Sequence, residues 1–355
     1  MRVGLILSGS LDTVSGSHLY DRKLVEYLRR CGDTVEVFSR PPRSYLRSLT
    51  DNMITGWQKN IESARLDVLL QDEASHPALL RLNQRLRDKY PIISIVHRLR
   101  GCEMDSPLYR WIERRYLASV DGFICTSETT QRAVVAVLDR TELTRSVVVT
   151  PAGDRFASIG VKDIIRERAN EPGPMRLVFV GDVIKRTGLL ILLEALLKLP
   201  AGLCQLTIIG NTELDALYMR VVYHLFMVTH LTGVTLAGVV SDEELAELFA
   251  HSHVIVMPAE YSGFGATFLE GMGFGLPAIG STAGGAGEII EDEVNGYLVA
   301  PHDPTGLAQR LKTLATDRDR LARMSLAAYE RFAAEPGWDD NLARVRQTLV
   351  KWIGR

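Results

Sequence analysis

The sequence predicts an α/β protein made of two consecutive doubly wound domains, each a parallel sheet covered by helices on both faces. Three observations lead there. The 355 residues exceed what one hydrophobic core usually supports, so two domains of about 150 to 200 residues are expected. Short, β-rich apolar runs alternate with longer stretches of helical spacing, the pattern of a sheet buried on both faces. That alternation stops after Pro151, through the polar stretch 166–174 (RERANEPGP), and then begins again.

In the first half, strands are expected at 3–8 (VGLILS), 34–39 (TVEVFS), 66–71 (LDVLLQ), 92–97 (IISIVH), 122–127 (GFICTS) and 146–151 (SVVVTP). Residues 20–32 (YDRKLVEYLRRCG) read as a helix with Gly32 as its C-cap. In the second half, strands are expected at 176–181 (RLVFVG), 205–210 (QLTIIG), 234–238 (VTLAG), 253–258 (HVIVMP), 277–281 (PAIGS) and 296–300 (GYLVA). The stretch 216–231 (ALYMRVVYHLFMVTHL) is too apolar for an ordinary surface helix and is expected to be buried or to lie between subunits, His224 and His230 arguing against insertion in a membrane. The chain closes on helices, the last at 338–355. The domains expected are 1–152 and 153–336, with the helical segment 337–355 packing back toward the first.

Composition narrows the partners. At 46% apolar and 24% charged residues with a net charge of −2, the chain has no general attraction for nucleic acid. The charge is uneven, +4 over residues 1–152 and −6 over 153–355. Cys31, Cys102, Cys125 and Cys204 stand far apart with no C-x-x-C pair and no histidine at ligand spacing, which points away from disulfides and zinc and toward a reduced, cytoplasmic setting. The apolar run in MRVGLILSGS is too short for a secretory signal, and no run reaches the roughly 18 apolar residues of a membrane span. Arg40, Arg43, Arg47, Arg110, Arg114 and Arg115 form a basic set that could meet a phosphorylated acceptor or the anionic inner face of a membrane, or be a solvated face.

Three glycine-rich loops follow expected strands and precede helices: 14–20 (VSGSHLY), 181–188 (GDVIKRTG) and 261–267 (YSGFGAT). Ligands of open parallel sheets bind at such places, where bare backbone approaches the ligand and helix N-termini favour phosphates. Lys185 and Arg186 could add the positive charge for a diphosphate. The alternative is that the loops are merely tight strand-to-helix turns. Neither G-x-G-x-x-G after the first strand nor a Walker sequence is present, which disfavours dinucleotide and ATPase readings. At strand ends in the first half stand Asp72, Glu73, His76 and His97. A neutral His97 could accept a hydroxyl proton or orient an acceptor, and the carboxylate pair could clamp polyol hydroxyls or cap the next helix.

Segments 179–196 (FVGDVIKRTGLLILLEAL), 238–279, 284–303 and 303–317 resemble family 4 glycosyltransferases, the retaining nucleotide-sugar enzymes of GT-B architecture. The first half is similar more loosely, through the VSGSHLY loop, 31–37 (CGDTVEV), 120–131 and 147–156 (VVVTPAGDRF), while 70–79 (LQDEASHPAL) and 94–100 (SIVHRLR) resemble one bacterial subgroup. The resemblance implies two Rossmann-like domains facing each other across a cleft. It implies a nucleoside diphosphate sugar held mainly by the C-terminal domain, an acceptor held mainly by the N-terminal one, and no metal or other cofactor. On matching positions Gly263, Phe264, Gly265, Ala266 and Thr267 would lie on the donor sugar and diphosphate, and Glu270 would bind the ribose hydroxyls; Gly16, Gly181, Asp182 and Val240 would complete the donor site. His97 would lie near the reacting sugar, with Tyr20, Asp72, Glu73, His76 and Arg98 on the acceptor side.

Two positions depart from the family pattern. A glutamate usual before the Phe-Gly pair is Ser262, with Glu260 two residues earlier; the usual Arg and Lys of the phosphate loop fall on Asp182 and Thr187, with Lys185 and Arg186 beside them. The function expected is transfer of a hexose from a nucleoside diphosphate sugar to an acceptor hydroxyl without a metal. Its alternatives are a sugar-nucleotide epimerase and a nucleotide-sugar binder with impaired catalysis.

Overall fold

The structure, a computed structural model, describes the chain except residues 14, 54–55, 104–105, 157–160, 230 and 355 and the side chains of 102 and 103. It divides into two compact units, Met1–Pro151 with Gly337–Arg355, and Ala152–Pro336. In the first, β1 (Arg2–Ser8), β2 (Thr34–Arg40), β3 (Val68–Asp72), β4 (Ile92–Val96), β5 (Gly122–Cys125) and β6 (Ser146–Val148) form a parallel sheet in the order β2-β1-β3-β4-β5-β6. In the second, β7 (Met175–Val180), β8 (Cys204–Ile209), β9 (Val234–Gly238), β10 (Val254–Met257), β11 (Ala278–Ser281) and β12 (Gly296–Val299) are ordered β12-β11-β10-β7-β8-β9, also all parallel. Each of the twelve strands overlaps the run that predicts it.

Alternation along the strands builds two cores on each sheet. In the second unit Met175, Leu177 and Phe179 face one side with Val254 and Val256, against the helices Leu189–Leu196 and Pro304–Thr316. Val178, Ile255 and Ala278 face the other, against the helices Ala266–Gly273 and Arg318–Ala334. In the first unit Ile6, Leu69, Ile92, Val96 and Phe123 share one core. The intervening Leu5, Leu7, Ile93 and Ile124 are buried on the opposite face.

The helix predicted at 20–32 runs from Gly16 to Arg30, its start fixed by Ser15, whose side chain accepts from the His18 N–H. The closing helix, Trp338–Ile353, belongs to the first unit and buries Trp338, Leu342, Val345 and Leu349. Its polar flank is tied down as well: Arg346 Nε donates to Asp33 at 2.7 Å, Asn341 Nδ2 to the Thr150 carbonyl at 3.0 Å, and Arg30 pairs with Asp339.

Within the polar stretch after Pro151, where the alternation stops, Lys162–Ala169 is a helix. Its Arg168 is buried, donating to the carbonyls of Ala250 at 2.9 Å and Phe274 at 2.5 Å, so a polar residue here serves as an interior fastener. The apolar helix Ala216–Thr229 is not buried. Tyr218, Met219 and Val222 face the core, whereas Leu217, Val221, Tyr223, Met227 and Val228 are exposed; one stripe of an all-round apolar helix is covered and the rest is not. His230, weighed with it, lies outside the described residues. Among the described residues no helix is long and apolar enough to cross a membrane.

Candidate functional site

In the second sheet the strand order reverses between β7 and β10, so their outgoing connections diverge and leave a crevice at the carboxyl ends. The loops that border it are those the glycines marked, 181–188 after β7 and 258–265 after β10. They are joined directly: Glu260 N–H donates to the Arg186 carbonyl at 2.8 Å, and Gly188, at φ +78°, stands where a Cβ would come 2.0 Å from the Pro258 oxygen. A third loop closes on the second, with Gly285 N–H donating to the Ser262 carbonyl at 2.8 Å. Gly284, at φ +87°, would place a Cβ 2.1 Å from that same oxygen. Glycine is therefore demanded by backbone packing at these two positions, whatever the loops bind.

The helix Ala266–Gly273 begins directly after Gly265, and its N-terminal N–H groups open at the end of this loop. Gly263, Gly265, Ala266 and Thr267 are half-buried around it. Phe264 differs from expectation. Its side chain is buried in the core beside Phe268, so the position can offer only backbone to a ligand. On the next turn Glu270 is buried, with Oε1 3.6 Å from Arg155 Nη1. Burial pushes its carboxyl up to about 7, against the opposing pull of Arg155. Arg155 is held in turn by Asp242, its Nε donating at 3.1 Å. Nothing in the 147–156 segment (VVVTPAGDRF) singles out Arg155; the fold sets it beside Glu270.

The two departures from the family pattern acquire physical content. Thr187 Oγ1 donates to the carbonyls of Asp182 at 2.9 Å and Ile184 at 2.7 Å, so the residue at the expected lysine position knits its own loop. Lys185 is exposed and Arg186 half-buried. Glu260, 29% exposed at its side chain, has its carboxylate 3.9 Å from His302 Nδ1, while Ser262 is half-buried where its backbone bridges to Gly284. The Arg186–Glu260 backbone bond makes the two stand-ins spatial neighbours. Gly181, Asp182 and Val240 sit half-buried along the same strand ends.

In the first unit the corresponding reversal lies between β1 and β3. Here the fold gathers Asp21 from the first helix, Asp72 and Glu73 from the end of β3, and His97 after β4. His97 Nε2 lies 3.5 Å from Asp21 Oδ1, an ion pair rather than a hydrogen bond. Both Asp21 oxygens, Asp72 Oδ2 and His97 Nε2 are buried without a hydrogen-bond partner among the described residues. Burial alone would lower the His97 pKa, but the Asp21 side chain, with the charges of Glu73 and Asp72, carries it up to about 9. That shift favours the protonated imidazole near neutral pH over the neutral proton acceptor expected from the sequence. Burial raises the carboxyls of Asp72 and Glu73, the latter to about 8, with the neighbouring charges of Asp21 and Asp72 respectively adding to the effect. The capping reading of the carboxylate pair is realised in Asp72, whose Oδ1 accepts from Ala74 N–H at 3.1 Å, while Glu73 Oε2 accepts from His97 N–H at 2.9 Å.

Two residues expected on the acceptor side, Tyr20 and His76, are buried and hydrogen-bonded within the unit. Tyr20 is fully buried, donates to the Val149 carbonyl at 3.3 Å and presents its ring edge-to-face to His97 and Trp338 at 5.3 and 5.7 Å. A ring this size in a parallel-sheet core fills space and orients the imidazole. His76 is buried, and burial lowers its pKa to about 4. Being neutral, it donates from Nδ1 to the Glu73 carbonyl at 2.7 Å, which leaves Nε2 to accept from Tyr45 Oη at 2.7 Å. Arg98 is half-buried beside His97. Gly16 opens the first helix with nothing within 4 Å of a would-be Cβ, and Val14 of that loop lies outside the described residues.

Asp21 carries no signal in the sequence; only the β1-to-helix connection brings it to the end of β3. Asp21, Asp72 and His97 offer donor atoms within 4.8 Å of one another, a spacing that would admit a cation.

Residues 174–317 match the family model described as "Glycosyl transferases group 1". An uncharacterized glycosyltransferase of Methanocaldococcus jannaschii is 32% identical over 199 residues, 55% of this chain and 47% of that protein. A D-inositol 3-phosphate glycosyltransferase of Xylanimonas cellulosilytica is 27% identical over 246 residues, 65% of this chain and 57% of that one. The chain thus spans about half the length of these curated relatives. Among solved structures, a sucrose-phosphate synthase from Thermosynechococcus elongatus superposes with a TM-score of 0.85 at 20% identity, covering 99% of both chains. The Anabaena protein HepE, in complex with UDP and glucose, gives 0.80 at 18% identity over 98% of this chain and 99% of that one. The fold is that of the GT-B class.

Proposed function

We propose that this chain, whose residues 174–317 match the model of the group 1 glycosyl transferases, transfers a hexose from a nucleoside diphosphate sugar to an acceptor hydroxyl, with retention and without a metal. The observation that carries this reading is the β7/β10 crevice, where three glycine-packed loops surround a helix N-terminus and the buried Glu270 stands one turn behind it. Such a site suits a diphosphate on the loop backbone and a ribose on the carboxylate. A neighbour solved with UDP and glucose supports the same class of donor.

In this reading Glu270, ionised and steadied by Arg155, accepts hydrogen bonds from the two ribose hydroxyls. The N–H groups opening the helix Ala266–Gly273, with Lys185 and Arg186, stabilise charge on the departing diphosphate as the glycosidic bond breaks. His97, a cation, donates a hydrogen bond to a sugar or acceptor hydroxyl. The buried oxygens of Asp21 and Asp72 receive the hydroxyl protons of a polyol. With His97 already protonated, the acceptor proton passes to an oxygen of the leaving phosphate.

The test is release of nucleoside diphosphate from a panel of nucleotide sugars, with and without alcohol, inositol and sugar acceptors, in EDTA. Release from at least one donor, stimulated by an acceptor, is expected. An unchanged nucleotide-sugar pool with an inverted sugar centre would indicate an epimerase, and binding without turnover would indicate an impaired site. Turnover abolished by EDTA and restored by a divalent ion would overturn metal independence and direct attention to Asp21, Asp72 and His97.

A further inference from the structure

One exposed face of the first unit is both basic and apolar. It is built on the helix Pro107–Leu117 and the short helix Tyr45–Thr50, which adjoin through the Tyr45 and Tyr109 rings at 4.4 Å. On the longer helix Ile112, Glu113, Tyr116 and Leu117 face inward, which turns Leu108, Trp111, Arg114 and Arg115 outward along one stripe. Leu108 and Trp111 are 52% and 56% exposed, and Leu46 on the neighbouring helix is 53% exposed beside the exposed Arg47. A tryptophan and two leucines in water are unfavourable for a monomer surface unless something covers them.

Charge selects what covers them. The only carboxylate on these two helices, Glu113, is buried and accepts from the N–H groups of Arg100 and Gly101 at 2.5 and 2.9 Å. Asp51, next to the short helix, is buried and paired with Arg40 and Arg43. Arg47, Arg114 and Arg115 have no ion-pair partner among the described residues; the Arg115 guanidinium lies 5.5 Å from the Trp111 ring centroid. Glu103 and Asp105 fall outside the described side chains. A second copy docking by this face would set arginine against arginine. Nucleic acid would leave the leucines in water.

We propose that this face docks on an anionic phospholipid surface. Trp111 and Leu108 enter the boundary between headgroups and acyl chains, and Arg47, Arg114 and Arg115 meet the phosphates with their stems lying along the apolar side. The arrangement goes beyond sugar transfer and does not depend on it.

Co-sedimentation of the full chain with phosphatidylcholine vesicles, with and without about one third phosphatidylglycerol, tests it. Binding is expected to the mixed vesicles only and to weaken in high salt. Neutralising two arginines in Arg114→Gln/Arg115→Gln is expected to weaken it about thirty-fold. Leu108→Ser/Trp111→Ser is expected to abolish binding while leaving the circular dichroism spectrum and nucleotide affinity unchanged. Brominated lipids are expected to quench the tryptophan fluorescence of the parent chain but not of Trp111→Phe. Absence of binding to the mixed vesicles would overturn the proposal, as would equal binding by the parent and the Leu108→Ser/Trp111→Ser variant. Preference for an acidic polypeptide over the vesicles would overturn it too.

Discussion

At the scale of single residues, His97 shows how burial and charge compete. Its folded pKa of about 9 lies above the ordinary value of 6.5, so the stability it contributes is fully present below pH 6.5 and is lost as pH rises through 9. Glu73 acts in the same direction, since a carboxyl raised from 4.5 to about 8 makes the fold less stable as pH climbs between those values. Urea midpoints measured from pH 5 to 9.5 are expected to fall steadily, and His97→Gln is expected to flatten the alkaline half of that slope. Glu270 gives a second, separable signal. Ionised above about 7, it is expected to bind ribose hydroxyls more tightly at pH 8 than at pH 6, and Glu270→Gln to remove that pH dependence of nucleotide affinity in calorimetry.

At the scale of elements, the loops around the β7/β10 crevice are held by backbone in contact with backbone. A methyl at Gly284 or Gly188 would have to displace a carbonyl oxygen, not a flexible side chain, and both sites have positive φ. Gly284→Ala is expected to cost about 1–3 kcal/mol in denaturant unfolding and to weaken nucleotide binding besides, because the bridge to Ser262 opens. Thr187→Lys, which would restore a family-like cation, forfeits two hydrogen bonds inside its loop. It is expected to lower the melting temperature even where it strengthens diphosphate binding, since the side chain cannot do both. In the closing helix, Leu342→Ala is expected to cost about 2–5 kcal/mol, read from the urea midpoint.

At the scale of the molecule, the sheets were legible because their signal is local: short β-rich apolar runs recur between helical stretches, and among the described residues each of the twelve strands overlaps one of them. The glycine loops were legible for the same reason. What escaped was what only topology assembles. Asp21 joins His97 because a helix returns over the reversal between β1 and β3, and Arg155 meets Glu270 across more than a hundred residues of chain. The burial of Tyr20 and His76 escaped because a tyrosine or histidine near a strand end has the same spelling whether it faces a ligand or a core. The helix at 216–229 is covered on one stripe only, because apolar composition does not say whether a surface within the same chain exists to cover the rest.

The closing helix bears on how the protein is born. The first unit draws on both ends of the sequence, whereas the second is continuous from Ala152 to Pro336. On the ribosome the sheet of the first unit emerges before the second unit yet waits for Trp338, Leu342, Val345 and Leu349, which are translated after it. The second unit is therefore expected to become protease-resistant before the first, reversing the usual N-terminal-first order. Limited proteolysis of ribosome-stalled chains ending near residue 336 and of released full-length protein measures this: the shorter chains are expected to be cut within residues 1–151, the full-length protein to resist there.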